Sequence, residues 1–317
     1  MRPSRRVLTA GLCLAVTALT LTTTRATRPA DAAPRAAAPT TLVALGDSWA
    51  AGTAAGGAPL VDPAGADGTS CRRTVASYPA RTGPRLAPGA WTSRACASTS
   101  GGPDTQFTAL TPAVTRVTIT VGADASGLGA LAGACAAGGT PAATAGRCDA
   151  AAARTDRALA ALGPALDSSF ADIRRRAPGA RLVLTTYPRL TEGLSCAAGA
   201  ADPGAARRLD DTVTRLDGIL TDRARAAGVT VVDVRRAFVA HSSCARQPWI
   251  TPFAGTDPLR TGAPTAAGQT VIANAVDAAT AQPTATGPRP TIAASLPLPL
   301  PLLRDAPGRL LAPLFPG

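Results

Sequence analysis

Gly46-Asp47-Ser48 is the segment with the clearest chemical content. It follows the apolar run Thr41-Leu42-Val43-Ala44-Leu45 and precedes Trp49. An apolar run that ends at a glycine has the pattern of a buried strand entering a turn. A serine at that point sits at the carboxyl end of a strand, where open parallel sheets bind their ligands. If a helix starts there, its first N–H groups and its positive end can hold a developing oxyanion. The same residues also suit a helix cap, with Asp47 or Ser48 accepting from the first turn. A serine hydroxyl is a weak nucleophile until a base takes its proton. His241 is the one histidine of the chain, so zinc sites built on several histidines are excluded. To serve as a base it would have to lie within hydrogen-bond reach of Ser48.

The elements that must position these groups follow from periodicity. Besides Thr41–Leu45, strands are predicted over Arg116–Val121, Arg181–Thr186 and Val229–Asp233. Helical spacing runs from Asp149 to Arg176 and from Asp202 to Ala227, with Leu209, Val213, Leu216 and Leu220 on one face. Gly228 then stands where a left-handed cap is expected. Strands alternating with helices imply a three-layer α/β/α fold around a central parallel sheet. Chemistry is therefore expected just after Leu45, Val121 and Thr186, and at the start of the last helix near Pro264.

Composition narrows the partners. The chain has 317 residues and a formal charge of +12, yet all 32 basic residues are arginine, as a coding bias would produce. Arg2, Arg5 and Arg6 followed by the apolar stretch Val7–Leu21 and by Ala30-Asp31-Ala32 read as a secretory signal over residues 1–32, cleaved near Ala32. Its removal leaves 27 arginines against 19 acids, spread along the chain. No clustered basic stripe or reading motif points to nucleic acid. Residues 33–40 form a short linker, residues 41–281 the domain, and residues 282–317 a Pro-rich tail whose Leu-Pro alternation favours an extended segment. No stable membrane span is expected in the mature protein, which is expected to be a secreted monomer. Six cysteines remain beyond the signal, an even number that suggests disulfides in an exported chain, with 15 connectivities open.

Val43-Ala44-Leu45-Gly46-Asp47-Ser48 resembles the first conserved block of the SGNH (GDSL-type) hydrolases. Cys71–Pro79, Val117–Gly122, Thr186-Tyr187-Pro188, Ala240–Cys244 with Trp249, and Pro264–Gln269 resemble segments of the actinobacterial secreted lipase/esterase branch, in the same order from about Thr41 to Ala279. The resemblance implies pairing of sequential cysteines: Cys71–Cys96, Cys135–Cys148 and Cys196–Cys244. It implies no cofactor and no metal, and ligands that are acyl esters, lipids or glycans.

The resemblance also assigns roles that this sequence only partly fills. Ser48 takes the position of the nucleophile. The catalytic histidine position, before Pro264, holds Ala263, and Arg260 and Thr261 stand where the family often places its acid. The oxyanion-hole positions are the N–H of Ser48, the N–H of Ser98 in place of a glycine, and Asp124 in place of an asparagine. Asparagine donates through its NH₂, whereas an ionised aspartate only accepts. Loss of one such donor costs a factor of roughly 10²–10³. Hydrolysis by the usual mechanism is therefore expected to be lost or much reduced, leaving a cleft that serves binding. The alternative is an active carboxylic-ester hydrolase with Ser48 as nucleophile and an unconventional base. His241 matches a histidine outside the catalytic set.

Overall fold

The computed structural model describes residues 41–61, 70–97, 103–136 and 138–281. The expected signal, linker and Pro-rich tail, and Ser98, lie outside the described residues.

Five parallel strands form one sheet: β1 (Leu42–Gly46), β2 (Trp91–Ser93), β3 (Arg116–Thr120), β4 (Arg181–Thr185) and β5 (Thr230–Val232), in the order β2-β1-β3-β4-β5. The described helices are α1 (Ser48–Ala51), α2 (Tyr78–Leu86), α3 (Pro103–Gln106), α4 (Ala123–Ser126), α5 (Leu128–Ala134), α6 (Pro141–Arg176), α7 (Pro203–Ala226) and α8 (Ala266–Ala281). Every residue of β1 is buried, because helices cover both faces of the sheet. Val43 and Leu45 point into the main core, while Leu42 and Ala44 pack against Ala87 and Trp91 on the α2 side.

The strand at the sheet edge, β2, escapes the sequence reading because it has only three residues. The long helix starts at Pro141 rather than Asp149, since Thr140 caps it by accepting from the Ala143 N–H and Pro141 fits the first turn. Leu159, Leu162, Leu166, Phe170 and Ile173 form its buried stripe. In α7 the matching stripe is Leu209, Val213, Leu216 and Leu220, and Asp202 caps the helix through the N–H groups of Gly204 and Ala205. Gly228 follows with φ +67°, in the left-handed region its position requires. Outside the core, Arg208–Asp149, Arg215–Asp156 and Arg223–Asp167 pair α7 with α6 in ascending order, as two parallel helices must. These pairs are about half exposed, so each contributes under about 1 kcal/mol.

Three disulfides join Cys71 to Cys96, Cys135 to Cys148 and Cys196 to Cys244. Each staples a loop near the carboxyl ends of the strands or at the start of α6, and constrains the unfolded chain by roughly 2–4 kcal/mol. No helix among the described residues is long and apolar enough to cross a membrane.

Candidate active site

The carboxyl ends of β1, β3 and β4 bring Ser48, Asp124 and Tyr187 together. Two glycines allow the chain to turn sharply there. Gly46 has φ +141°, and a Cβ on it would lie 2.2 Å from the Thr120 carbonyl oxygen. Gly122 has φ +126°, and a Cβ on it would lie 2.9 Å from Leu216. The side chain of Gln106 ties the first turn down, accepting from the Gly46 N–H at 2.8 Å and donating to the Gly46 carbonyl at 3.0 Å.

Asp47 is the hub. It caps α1 by accepting from the Trp49 N–H, and its other oxygen accepts from the Tyr187 hydroxyl at 2.7 Å and the Ala123 N–H at 3.1 Å. It thereby joins the ends of β1, β3 and β4. Burial pushes its pKa up to about 7, with the neighbouring Asp124 charge adding to the effect and the donors opposing it. The Tyr187 ring packs edge-on against Trp49, with centroids 4.8 Å apart.

Ser48 is almost fully buried, at 2% exposure. Its hydroxyl donates to Asp124 Oδ1 at 2.5 Å, and its backbone N–H donates to Asp124 Oδ2 at 2.9 Å. One carboxylate thus engages both the hydroxyl and the N–H of the same serine. Burial raises the Asp124 pKa above the ordinary carboxylate range, while the two Ser48 donors and the nearby Arg72 charge hold it back. Arg72 itself is paired with Asp257. The expected helix potential is small, because α1 spans four residues and offers N–H groups rather than a summed dipole.

The remaining positions divide. Ala263 is buried and forms a short exchange with Thr251: its carbonyl accepts from the Thr251 N–H at 2.9 Å, and its N–H donates to Thr251 Oγ1 at 3.1 Å. It lies just ahead of α8, whose Gln269 accepts from the Tyr78 N–H and donates to the Trp49 carbonyl, both at 2.8 Å. That pair of bonds anchors the start of α8 to the turn that carries Ser48. His241 is engaged elsewhere. Its Nδ1 lies 2.8 Å from the Gln247 carbonyl and its ring stacks on Trp249, with centroids 3.5 Å apart. Sequence reasoning missed the roles of Tyr187, Gln269, Gln106 and Arg72. Tyr187 and Gln269 fall in segments that carried the resemblance, but nothing in the sequence says which atoms they bond.

No family profile matches the chain. A lipase of Streptomyces rimosus is 32% identical over 256 residues, which cover 79% of this chain and 89% of that protein. The chain belongs to the SGNH-type lipase family of actinobacteria. Lipase 1 of Streptomyces coelicolor is 28% identical over 230 residues, covering 72% of this chain and 81% of that protein. Two solved structures agree with the SGNH fold seen here. Phospholipase A1 from Streptomyces albidoflavus superposes with a TM-score of 0.65 at 26% identity, and the extracellular lipase from Streptomyces rimosus with 0.65 at 27%. Each covers 76% of this chain and 99% of the other. The SGNH-type chain thus shares its overall fold with both structures.

Proposed function

We propose that this is an exported SGNH-type protein in which ester hydrolysis by a Ser–His pair is lost or much reduced, and whose cleft binds an acyl ester, a lipid or a glycan. One observation carries the reading: the carboxylate of Asp124 holds both the N–H and the hydroxyl of Ser48. An oxyanion needs that N–H as a donor, and an ionised Asp124 would repel the charge instead of stabilising it. Ala263, in the histidine position, offers no group to take the serine proton. The three disulfides fit an oxidising compartment, as does a signal removed near Ala32 ahead of a domain over residues 41–281.

The test uses short and medium p-nitrophenyl esters, with Ser48→Ala as control. The proposal expects no difference between the two proteins, and no stoichiometric labelling of Ser48 by a fluorophosphonate probe. Turnover that disappears in Ser48→Ala would show a working nucleophile.

The short bond from Ser48 Oγ to Asp124 Oδ1 favours one second reading, an ester hydrolase with Asp124 as its base. The Oγ proton would pass to Oδ1 as Oγ bonds to the ester carbon, and would then go to the departing alkoxide. Water, deprotonated by the same carboxylate, would release the acid from Ser48. Asp124→Asn separates the two readings. It abolishes turnover if Asp124 is the base, and it does not lower activity if Asp124 merely blocks the serine.

A further inference from the structure

At the carboxyl ends of β4 and β5, away from the groups that touch Ser48, two adjoining cavities share Glu192. One, of about 360 Å³, is lined by Arg189, Glu192, Asp233, Arg235, Arg236 and Val239, with Phe238 at its base. The other, of about 680 Å³, is lined by Glu192, Leu194, Ala240, His241 and Arg246 among others. Arg235 is neutralised by Asp233. Arg189, Arg236 and Arg246 are exposed, and none has a side-chain partner among the described residues. Glu192, which has no cationic partner among the described residues either, offsets one of these charges, so Arg189, Arg235, Arg236 and Arg246 against Glu192 and Asp233 leave the groove a net charge of +2. It also carries unusual apolar exposure: Val239 is 64% and Leu194 52% exposed.

The groove is held in shape rather than left as loose loop. Buried Asp210 accepts from the N–H groups of Leu190, Thr191 and Gly193 and from the Thr191 hydroxyl, fixing the turn that presents Glu192. Glu192 is the one glutamate of the chain. Its carboxylate accepts from the Ala240 N–H at 2.9 Å, across the groove. Both Glu192 and Ala240 adopt left-handed backbone, φ +54° and +64°, which non-glycine residues avoid unless the surroundings enforce it. The Cys196–Cys244 disulfide ties the Leu194 side to the Arg246 side, and the His241–Trp249 stack supports the wall behind.

We propose that this groove is a second binding site, for an anionic amphiphile: a phosphate or carboxylate head on the guanidinium groups of Arg189 and Arg236, with an alkyl chain along Val239 and Leu194. Arginine suits such a head because its planar fork donates two parallel bonds to one anion. A bare anion would leave the aliphatic side chains in water, and an uncharged chain would leave the guanidinium groups unpaired. The site stands independently of whether Ser48 is reactive.

Calorimetric titration of the full chain with submicellar dodecyl phosphate tests this. One molar equivalent binds. The double variant Arg189→Ala/Arg236→Ala weakens binding about tenfold or more, as loss of charge-assisted bonds should. Arg189→Lys/Arg236→Lys retains part of the affinity, with unfolding temperature unchanged throughout. Val239→Ser weakens dodecyl phosphate and leaves inorganic phosphate, itself the weaker ligand, unaffected. The proposal would be overturned by equal binding of dodecyl phosphate by wild type and double alanine variant, by inorganic phosphate binding as tightly as dodecyl phosphate, or by dodecyltrimethylammonium binding as well as either. Binding that responds to Asp124→Asn and not to the arginines would place the amphiphile at Ser48 instead, and would equally end the proposal.

Discussion

Two neighbouring regions along the carboxyl edge of one parallel sheet treat charge in opposite ways. Where β1 and β3 end, Asp47 and Asp124 are buried and between them take five donors: Trp49 N–H, Ala123 N–H, the Tyr187 hydroxyl, and both donors of Ser48. Where β4 and β5 end, Arg189, Arg236 and Arg246 face solvent without partners among the described residues. The difference follows from burial. A buried carboxylate without donors would cost several kcal/mol, so the fold surrounds it and it becomes framework. An exposed guanidinium stays hydrated at no such cost and remains free for a ligand. A family resemblance directs attention to the first region; the unspent recognition capacity lies in the second.

The largest expected effect comes from undoing the closed state of the first region. Ala263→His alone should restore little ester hydrolysis, because Asp124 still holds the Ser48 N–H. Adding Asp124→Asn should raise kcat by about 10²–10³ over that single variant, the worth of one oxyanion donor. Full family-like rates in the single variant would mean that Asp124 does not oppose the reaction.

Next in size is the anchor of α8. Gln269→Ala strands the buried Tyr78 N–H and leaves the Trp49 carbonyl only the longer bond from the Gly52 N–H at 3.3 Å, and should cost about 1–3 kcal/mol in denaturant unfolding. A loss under about 1 kcal/mol would show that this bond pair does not hold α8 to the Ser48 turn.

A smaller effect concerns pH. Asp217 lies between the two regions. It accepts from the Tyr187 N–H, and its other oxygen faces Arg235 at 3.8 Å. Burial pushes its pKa up to about 7 from 3.8, with Arg235 pulling it back. A carboxyl with a raised folded-state pKa binds more protons folded than unfolded between those values, so its contribution is full below pH 3.8 and is lost as pH rises towards 7. Asp47, also raised to about 7, acts with the same sign. Asp217→Asn should therefore raise the melting temperature near pH 7.5 and leave it unimproved near pH 4. A gain of equal size at both values would exclude a titration origin.

The smallest effect belongs to the Arg72–Asp257 pair, whose side chains are 37% and 35% exposed. Asp257→Ala should cost under about 1 kcal/mol and lose even that in high salt. A larger, salt-insensitive loss would make this pair part of the framework around Asp124.

Much of the scaffold is legible without coordinates. The apolar runs ahead of Gly46 and Gly122, the spacing of Leu209, Val213, Leu216 and Leu220, and Gly228 after α7 suffice for a parallel sheet flanked by helices. Those signals are local: burial on both strand faces and a 3.6-residue period leave their mark on neighbouring residues. Edge strand β2 left none, since three residues cannot show a period. The Pro141 start of α6 was hidden because Pro141, Thr144 and Gly146 interrupt its first turns, and its cap, Thr140, acts only once the chain turns there.

The sequence alone determined which chemical groups are present and which are missing: a serine after Gly46-Asp47, an alanine before Pro264, an aspartate after Gly122, a single imidazole. Only the tertiary structure decided whom they meet. Ser48 and Asp124 are 76 residues apart, Asp47 and Tyr187 140 apart. Hydrogen bonding depends on separations of a few ångströms between atoms brought together by packing. So the list of side chains could be read from the chain, and the capture of one serine by one carboxylate could not.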